Sequence, residues 1–315
     1  MIAQDYILKR LRGIKDIKTM PVEDLADFIY ITLMSKKFRK YSVRPQAVDK
    51  IRTAIELNIE KNDPIKIAIP FGSYKLWRFK EETPEVCWAE LFALIYYAYW
   101  LKPITDAYKP GIWFDFCADD AILELMNNIP PENTDKYKQT FRDLIDFIQP
   151  YLPDNFKYTF SPVGERYGSK EEFLTDLDHQ IEILKQKSGV TLTERNIEMM
   201  KFNIKPKAGQ EINFESNRLM HDAYMDVSKR RPYHKTPDKI LISATPFGDR
   251  TSLPVGTTKT SVVKFQTGVG VLEKKDDSYI ENIYSPTQLE NSEFKWEAVK
   301  IENLPDKNFK QIRII

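Results

Sequence analysis

The sequence predicts an α/β protein: a mostly parallel sheet with flanking helices, preceded by a helical segment and followed by a β meander. Three observations carry this reading. Ile65–Ile69 and Ile112–Cys117 are short, β-branched or aromatic runs of strand length. Between them lies an apolar run long enough for a helix, and strand–helix–strand of that length implies a right-handed parallel crossover. After Thr245 the chain turns to Gly, Thr and Ser turns between short strands.

The first sixty residues read as helical. Pro21 followed by Val22, Glu23 and Asp24 is a helix start, with proline and acids in the first turn. Leu25, Phe28, Ile29, Ile31 and Leu33 supply its apolar stripe. Ser42–Val43–Arg44–Pro45 opens a second helix, with Ala47, Ile51, Ala54, Ile55 and Ile59 on one face. The first strand, Ile65–Ile69, is ended by Pro70, and a polar loop runs from Phe71 to Thr83. Pro84–Glu85 starts a long apolar helix to about Lys102, Pro110–Gly111 is a turn, and the second strand leads into a helix from Asp119–Asp120 through Met126. Thr134–Ile148, Lys170–Lys187, Thr193–Phe202 and Phe214–Lys229 read as further helices, with strands at Phe156–Val163 and Lys239–Ser243. The meander comprises Ser261–Phe265, Gly270–Leu272, Tyr279–Tyr284, Trp296–Ile301 and Gln311–Ile315. These shifts divide the chain into a helical segment 1–62, an α/β core 63–250 and a β-rich segment 251–315.

Lys and Arg total 47 against 46 Asp and Glu, a formal net charge of +1. Near-neutrality argues against nucleic acid or an anionic membrane as a partner won by bulk electrostatics. Cys87 and Cys117 are far apart and sit in apolar segments, which reads as buried thiols in a reducing compartment. Met1–Arg10 lacks the apolar run of a signal peptide, and Leu91–Leu101 is too short to span a bilayer. A cytoplasmic location is the expectation.

Ligands of parallel α/β sheets bind beyond the carboxyl ends of the strands. That rule selects three loops. Pro70–Arg78 holds Tyr74, Lys75 and Arg78 beside Gly72, a setting suited to an anionic substrate group. Ala118–Asp119–Asp120 puts two acids at a strand end; one is expected to cap the helix, leaving the other as a general base or amine ligand. Ala244–Arg250 is the third. Arg250, Lys259 and Lys264 are candidate phosphate contacts, whereas Lys229–Arg230–Arg231 fits a helix C-terminus. Asp115 lies within the second strand and faces either the crevice or the opposite side. Glu90, set in Val86–Leu91, is either a buried acid/base or a residue of an exposed stripe. His179, His221 and His234 lack metal-ligand spacing, Ser243 lacks the GxSxG context, and no GxGxxG or P-loop is present. No metal and no cofactor are expected.

The middle of the chain resembles the isocyanide (isonitrile) synthase family of the pyoverdine and dityrosine type. The resemblance rests on Ile67–Ala68–Ile69–Pro70, Tyr74–Lys75, Thr83–Pro84–Glu85, Ala89–Glu90, Ala93–Leu94, Tyr108–Lys109–Pro110–Gly111, Ala118–Asp119–Asp120, Tyr137 and the Lys239–Ser243 strand. It covers roughly residues 64 to 245. It implies a Rossmann-like core without nicotinamide. It further implies a metal-independent biosynthetic transferase or lyase of secondary metabolism, which condenses an amino-acid amine with the ketone of a pentulose phosphate. Lys75 falls on the family lysine, Glu90 on the helix glutamate and Asp119 on the aspartate of S-D-G. Asp120 replaces the glycine of that motif, Ala244–Thr245–Pro246 stands where a histidine is expected, and the late T-P-W-H signature has no counterpart. These departures imply a divergent member. The competing reading is a non-catalytic small-molecule-binding or interaction protein on the same fold. On both readings the partner is a small molecule, an amino acid with or without a sugar phosphate, and neither nucleic acid nor membrane.

Overall fold

The computed structural model describes residues 1–315 except 17–22, 40–41, 72–84, 128, 188–191, 205–210, 231–232, 234–235, 244–250, 256–267 and 305–306. The chain opens with helices α1 (Ala3–Arg12), α2 (Leu25–Leu33) and α3 (Pro45–Glu60). Asp24 caps α2 by accepting from the Asp27 amide, and Pro45 begins α3, where its missing N–H costs nothing. The stripe of α3 is buried at Ala47, Ile51, Ala54 and Ile55.

The main sheet contains β1 (Ile65–Phe71), β2 (Ile112–Ala118), β3 (Phe156–Pro162), β4 (Lys239–Ser243) and β5 (Leu253–Pro254). All pairings are parallel, in the order β3-β2-β1-β4-β5. Helix α4 (Trp88–Ala107) links β1 to β2; α5 (Asp120–Asn127) and α6 (Pro131–Ile148) link β2 to β3. The segment from β3 to β4 holds the short α7 (Val163–Arg166), then α8 (Lys170–Gln186), α9 (Glu194–Asn203) and α10 (Phe214–Arg230). Helix α4 starts four residues later than the sequence suggests, and it continues past Pro103 to Ala107. Its start is set by a capping box in which Cys87 and Glu90 satisfy each other's backbone amides. Gly111, with φ of 75°, makes the turn into β2, and a Cβ there would lie 1.9 Å from the Asn155 carbonyl oxygen.

Strand alternation gives the sheet two unlike faces. Ile65, Ile67, Ile69, Phe114, Phe116, Tyr158, Ile240 and Ile242 belong to the apolar face. On it Phe114 and Phe116 pack on Tyr97 of α4, with centroids 4.8 and 6.3 Å away, and Phe116 meets Phe141 of α6 at 5.1 Å. Each such ring buried contributes about 1.5–3 kcal/mol. The opposite face carries Trp113, Asp115 and Cys117 of β2, level with Thr159 and Ser161 of β3. A polar sheet face in the interior is unusual for structure alone, and this face bears on the site.

The C-terminal strands make a second sheet rather than widening the first. It comprises β6 (Val269–Lys275), β7 (Ser278–Tyr284), β8 (Lys295–Ala298) and β9 (Gln311–Ile314), ordered β7-β6-β9-β8. It is mixed, with β9 parallel to β6 and antiparallel to β8, so its connectivity is not a simple meander. The short α11 (Pro286–Glu290) joins β7 to β8. Ser261–Phe265, read as a strand from the sequence, lies outside the described residues. Gly270 lets β6 lie against the start of α4, since a Cβ there would sit 2.4 Å from Trp88 Cβ. Trp88 Nε1 donates to the Gln311 carbonyl at 2.7 Å. Arg10 of α1 reaches Glu281 of β7 at 2.7 Å. One apolar cluster runs from Ala3 to Ile312 through helices α1–α4 and α6 and both sheets. Among the described residues no helix is long and apolar enough to cross a membrane.

Candidate functional site

The strand order reverses between β1 and β4, which makes that position the topological switch point where α/β sheets bind ligands. The pairing of β1 with β4 ends at Ala68–Leu241, whereas that with β2 continues to Phe71–Ala118. Pro70, which has no N–H to give, thus falls where β1 and β4 are no longer paired. The loops leaving β1 and β4 at this edge hold Tyr74, Lys75, Arg78 and Arg250. All four lie outside the described residues, as do Lys259, Lys264, His234 and Arg231.

Beneath that edge is a buried polar cluster on the second face of the sheet. Asp115 has no solvent exposure. Its Oδ1 accepts from Thr159 Oγ1 at 2.6 Å and Ser161 Oγ at 2.7 Å, and Cys117 Sγ donates to Oδ2 at 3.2 Å. Of the two orientations open to Asp115, the structure selects the polar face. The Tyr233 hydroxyl donates to Ser161 Oγ at 3.2 Å, and the Lys239 ammonium lies 3.7 Å from the centre of the Tyr233 ring. Burial, then the Asp115 charge, raises the Cys117 thiol well above its ordinary value, so it stays protonated. Burial pushes Tyr233 up to about 12. Burial lowers Lys239, with Cys117 and Asp115 opposing part of that shift.

Asp119 sits one residue beyond β2. Its Oδ1 accepts from Arg166 Nη2 at 2.8 Å and from the Tyr224 hydroxyl at 2.7 Å. Arg166 Nη2 also donates to the Ala118 carbonyl at 2.5 Å. The Arg166 side chain is 0% exposed and that of Asp119 is 24% exposed, so the pair runs from the interior to the rim. Burial pulls the guanidinium down, but Asp119 together with Tyr224 and Cys117 more than offsets it, and the group remains cationic. Burial and then Asp119 raise Tyr224 well above its ordinary value, so it acts as a neutral donor. Arg166 Nε and Nη1 are buried without a hydrogen-bond partner among the described residues. An unmet buried donor costs on the order of 1–3 kcal/mol, more on a charged group.

The other expected acids are engaged elsewhere. Asp120 accepts from the Val163 amide at 2.9 Å and from Lys138 Nζ at 3.0 Å, which ties β2 to α7 and α6. Asp120 thus holds the first amide of α7, and Asp119 is left at the rim. Glu90 is fully buried, not on an exposed stripe. Its described partners are the Cys87 amide at 2.9 Å and the Tyr137 hydroxyl at 3.0 Å, which join α4 to α6 on the apolar side. The structure therefore gathers Asp119 and Asp115 around one cluster and gives Glu90 and Asp120 partners outside it. His179 and His221 are exposed, and His221 faces Asp222 at 3.5 Å. Among the described residues no group of three His, Cys, Asp or Glu side chains is arranged to hold a metal ion. Lys229 and Arg230 are exposed at the end of α10, as cations at a helix C-terminus.

Sequence reasoning passed over Arg166, Tyr224, Thr159, Ser161, Tyr233 and Lys239. Thr159 and Ser161 carried a signal, since polar residues two apart in Phe156–Pro162 mark one strand face beside Asp115 and Cys117. Arg166 and Tyr224 carried none, because their partner Asp119 is brought to them only by the fold.

No family model matches the chain, and no curated protein matches it. Among solved structures, the crystal structure of the PvcA protein from Pseudomonas aeruginosa is similar, with 14% identity, 93% of this chain and 100% of that chain covered, and a TM-score of 0.56. At that identity the likeness is one of fold, and it extends over nearly the whole of both chains.

Proposed function

We propose that this chain is a divergent isocyanide synthase-like biosynthetic enzyme, acting on the amine of an amino acid at the carboxyl edge of its main sheet. The observation that carries the proposal is Asp119, a rim carboxylate at the carboxyl end of β2, the strand beside β1, held by Arg166 and Tyr224. The sequence resemblance and the fold likeness to PvcA support the same reading. Asp119 accepts from the substrate ammonium and takes its proton. The neutral amine then attacks the ketone of a pentulose phosphate, and loss of water leaves an imine. Lys75, Arg78, Arg250, Lys259 and Lys264 are assigned to the phosphate as cations suited to an oxyanion, and Tyr74 is assigned as a further substrate contact. Asp120 and Glu90 hold the frame through the bonds described above.

Lys75→Ala and Asp119→Asn are expected to abolish consumption of the amino acid, followed by mass spectrometry, while far-ultraviolet circular dichroism shows both variants folded. Full turnover in both variants overturns the proposal. One observation favours a second reading: Ala244–Thr245–Pro246 stands where the family resemblance calls for a histidine. A binding protein without chemistry would show thermal shifts with amino acids and no product.

A further inference from the structure

We infer that Arg166 is the carboxylate anchor of this site, receiving the α-carboxylate of the amino acid whose amine faces Asp119. The inference rests on the reading that the substrate is an amino acid. Three observations lead to it. First, the guanidinium is completely buried, yet only Nη2 has acceptors. Among the described residues, Nε with its one N–H and Nη1 with its two have none. Buried cations ordinarily have their donors filled, so a guanidinium left open inside a polar cluster marks a place for an acceptor that the described residues do not supply. Second, Arg166 touches Asp119 at 2.8 Å, which sets a cation beside an anion at the spacing of the ammonium and carboxylate on a single carbon. The Tyr167 and Tyr233 rings, each 5.9 Å from the guanidinium carbon, flank it. Third, the charges of the cluster balance. Arg166 and Lys239 stand against Asp115 and Asp119, so a zwitterion enters without adding net charge. A phosphate dianion would bring two negative charges next to two carboxylates.

The test is titration calorimetry on the full chain with the common L-α-amino acids, their carboxamides and inorganic phosphate. The expected result is binding of at least one amino acid, with its carboxamide at least thirtyfold weaker. In Arg166→Gln and Arg166→Lys that preference should shrink to within about threefold. The comparison of acid with carboxamide on the parent protein holds even if a variant fails to fold. A carboxamide that binds as well as the acid, or a preference that Arg166→Lys keeps, overturns the anchor while leaving amino-acid chemistry standing. Binding of phosphate alone, lost in Arg166→Gln, reassigns the oxyanion and likewise overturns it. Silence from every probe overturns both the anchor and the reading beneath it.

Discussion

Asp115 is a carboxylate with no solvent exposure, kept there by two hydroxyls and a thiol. Asp115→Ala removes the shared acceptor of one buried and two half-buried donors. About 3 kcal/mol of stability should be lost in urea unfolding, and a loss under 0.5 kcal/mol would contradict the described bonding. Tyr233 gives a pH prediction. Its folded pKa of about 12 lies above its ordinary value of 10.0, so the neutral phenol is favoured by folding. The stability it lends is full below pH 10 and is lost as pH rises toward 12. Tyr233→Phe should flatten the alkaline fall in melting temperature across that window; an unchanged fall would show that Tyr233 contributes none of it. At this scale the sequence made Asp119 and Asp120 visible as strand-end acids. It did not show which was free, because Lys138, Val163, Arg166 and Tyr224 reach them from 18 to 105 residues away.

Among the elements, α4 is the strut between the two sheets, and its first turn does several jobs. Glu90 closes the capping box and takes the Tyr137 hydroxyl. Glu90→Ala should cost roughly 2–4 kcal/mol, for the lost cap plus the lost bond to the Tyr137 hydroxyl. Glu90→Gln should recover part of that through its remaining carbonyl oxygen. Equal losses in both variants, read by chemical denaturation, would mean that charge rather than bonding matters here. Gly270→Ala forces a methyl into Trp88 and should destabilise by about 1–3 kcal/mol. A neutral result would mean that β6 does not lie so close to α4. Most elements were legible because their periods are strong, as in the α3 stripe and the β1 run. The start of α4 was not, because Pro84–Glu85 looks like a helix opening while a Cys87–Glu90 box is a rare form of cap. The second sheet was legible as strands but not as a mixed sheet, since β9 inserts between β6 and β8 by non-local pairing.

For the whole molecule, the apolar cluster from Ala3 to Ile312 joins both sheets and the first helices. One cooperative unfolding transition is expected, with tryptophan fluorescence and far-ultraviolet circular dichroism changing together. Two separated transitions would mean that the second sheet unfolds by itself. The parallel crossovers could be read from the sequence, but the order β3-β2-β1-β4-β5 could not, and that order defines the crevice edge. The central claim is that an amino acid binds at this edge. The most direct test is a crystal structure of the protein with the amino acid that raises its melting temperature most. The account predicts the ligand beyond the ends of β1 and β2, with its amine within hydrogen-bond reach of Asp119. A ligand ordered elsewhere, such as the hollow of about 500 Å³ lined by Asp143, Asp146 and Phe147, with none at the edge, would contradict it.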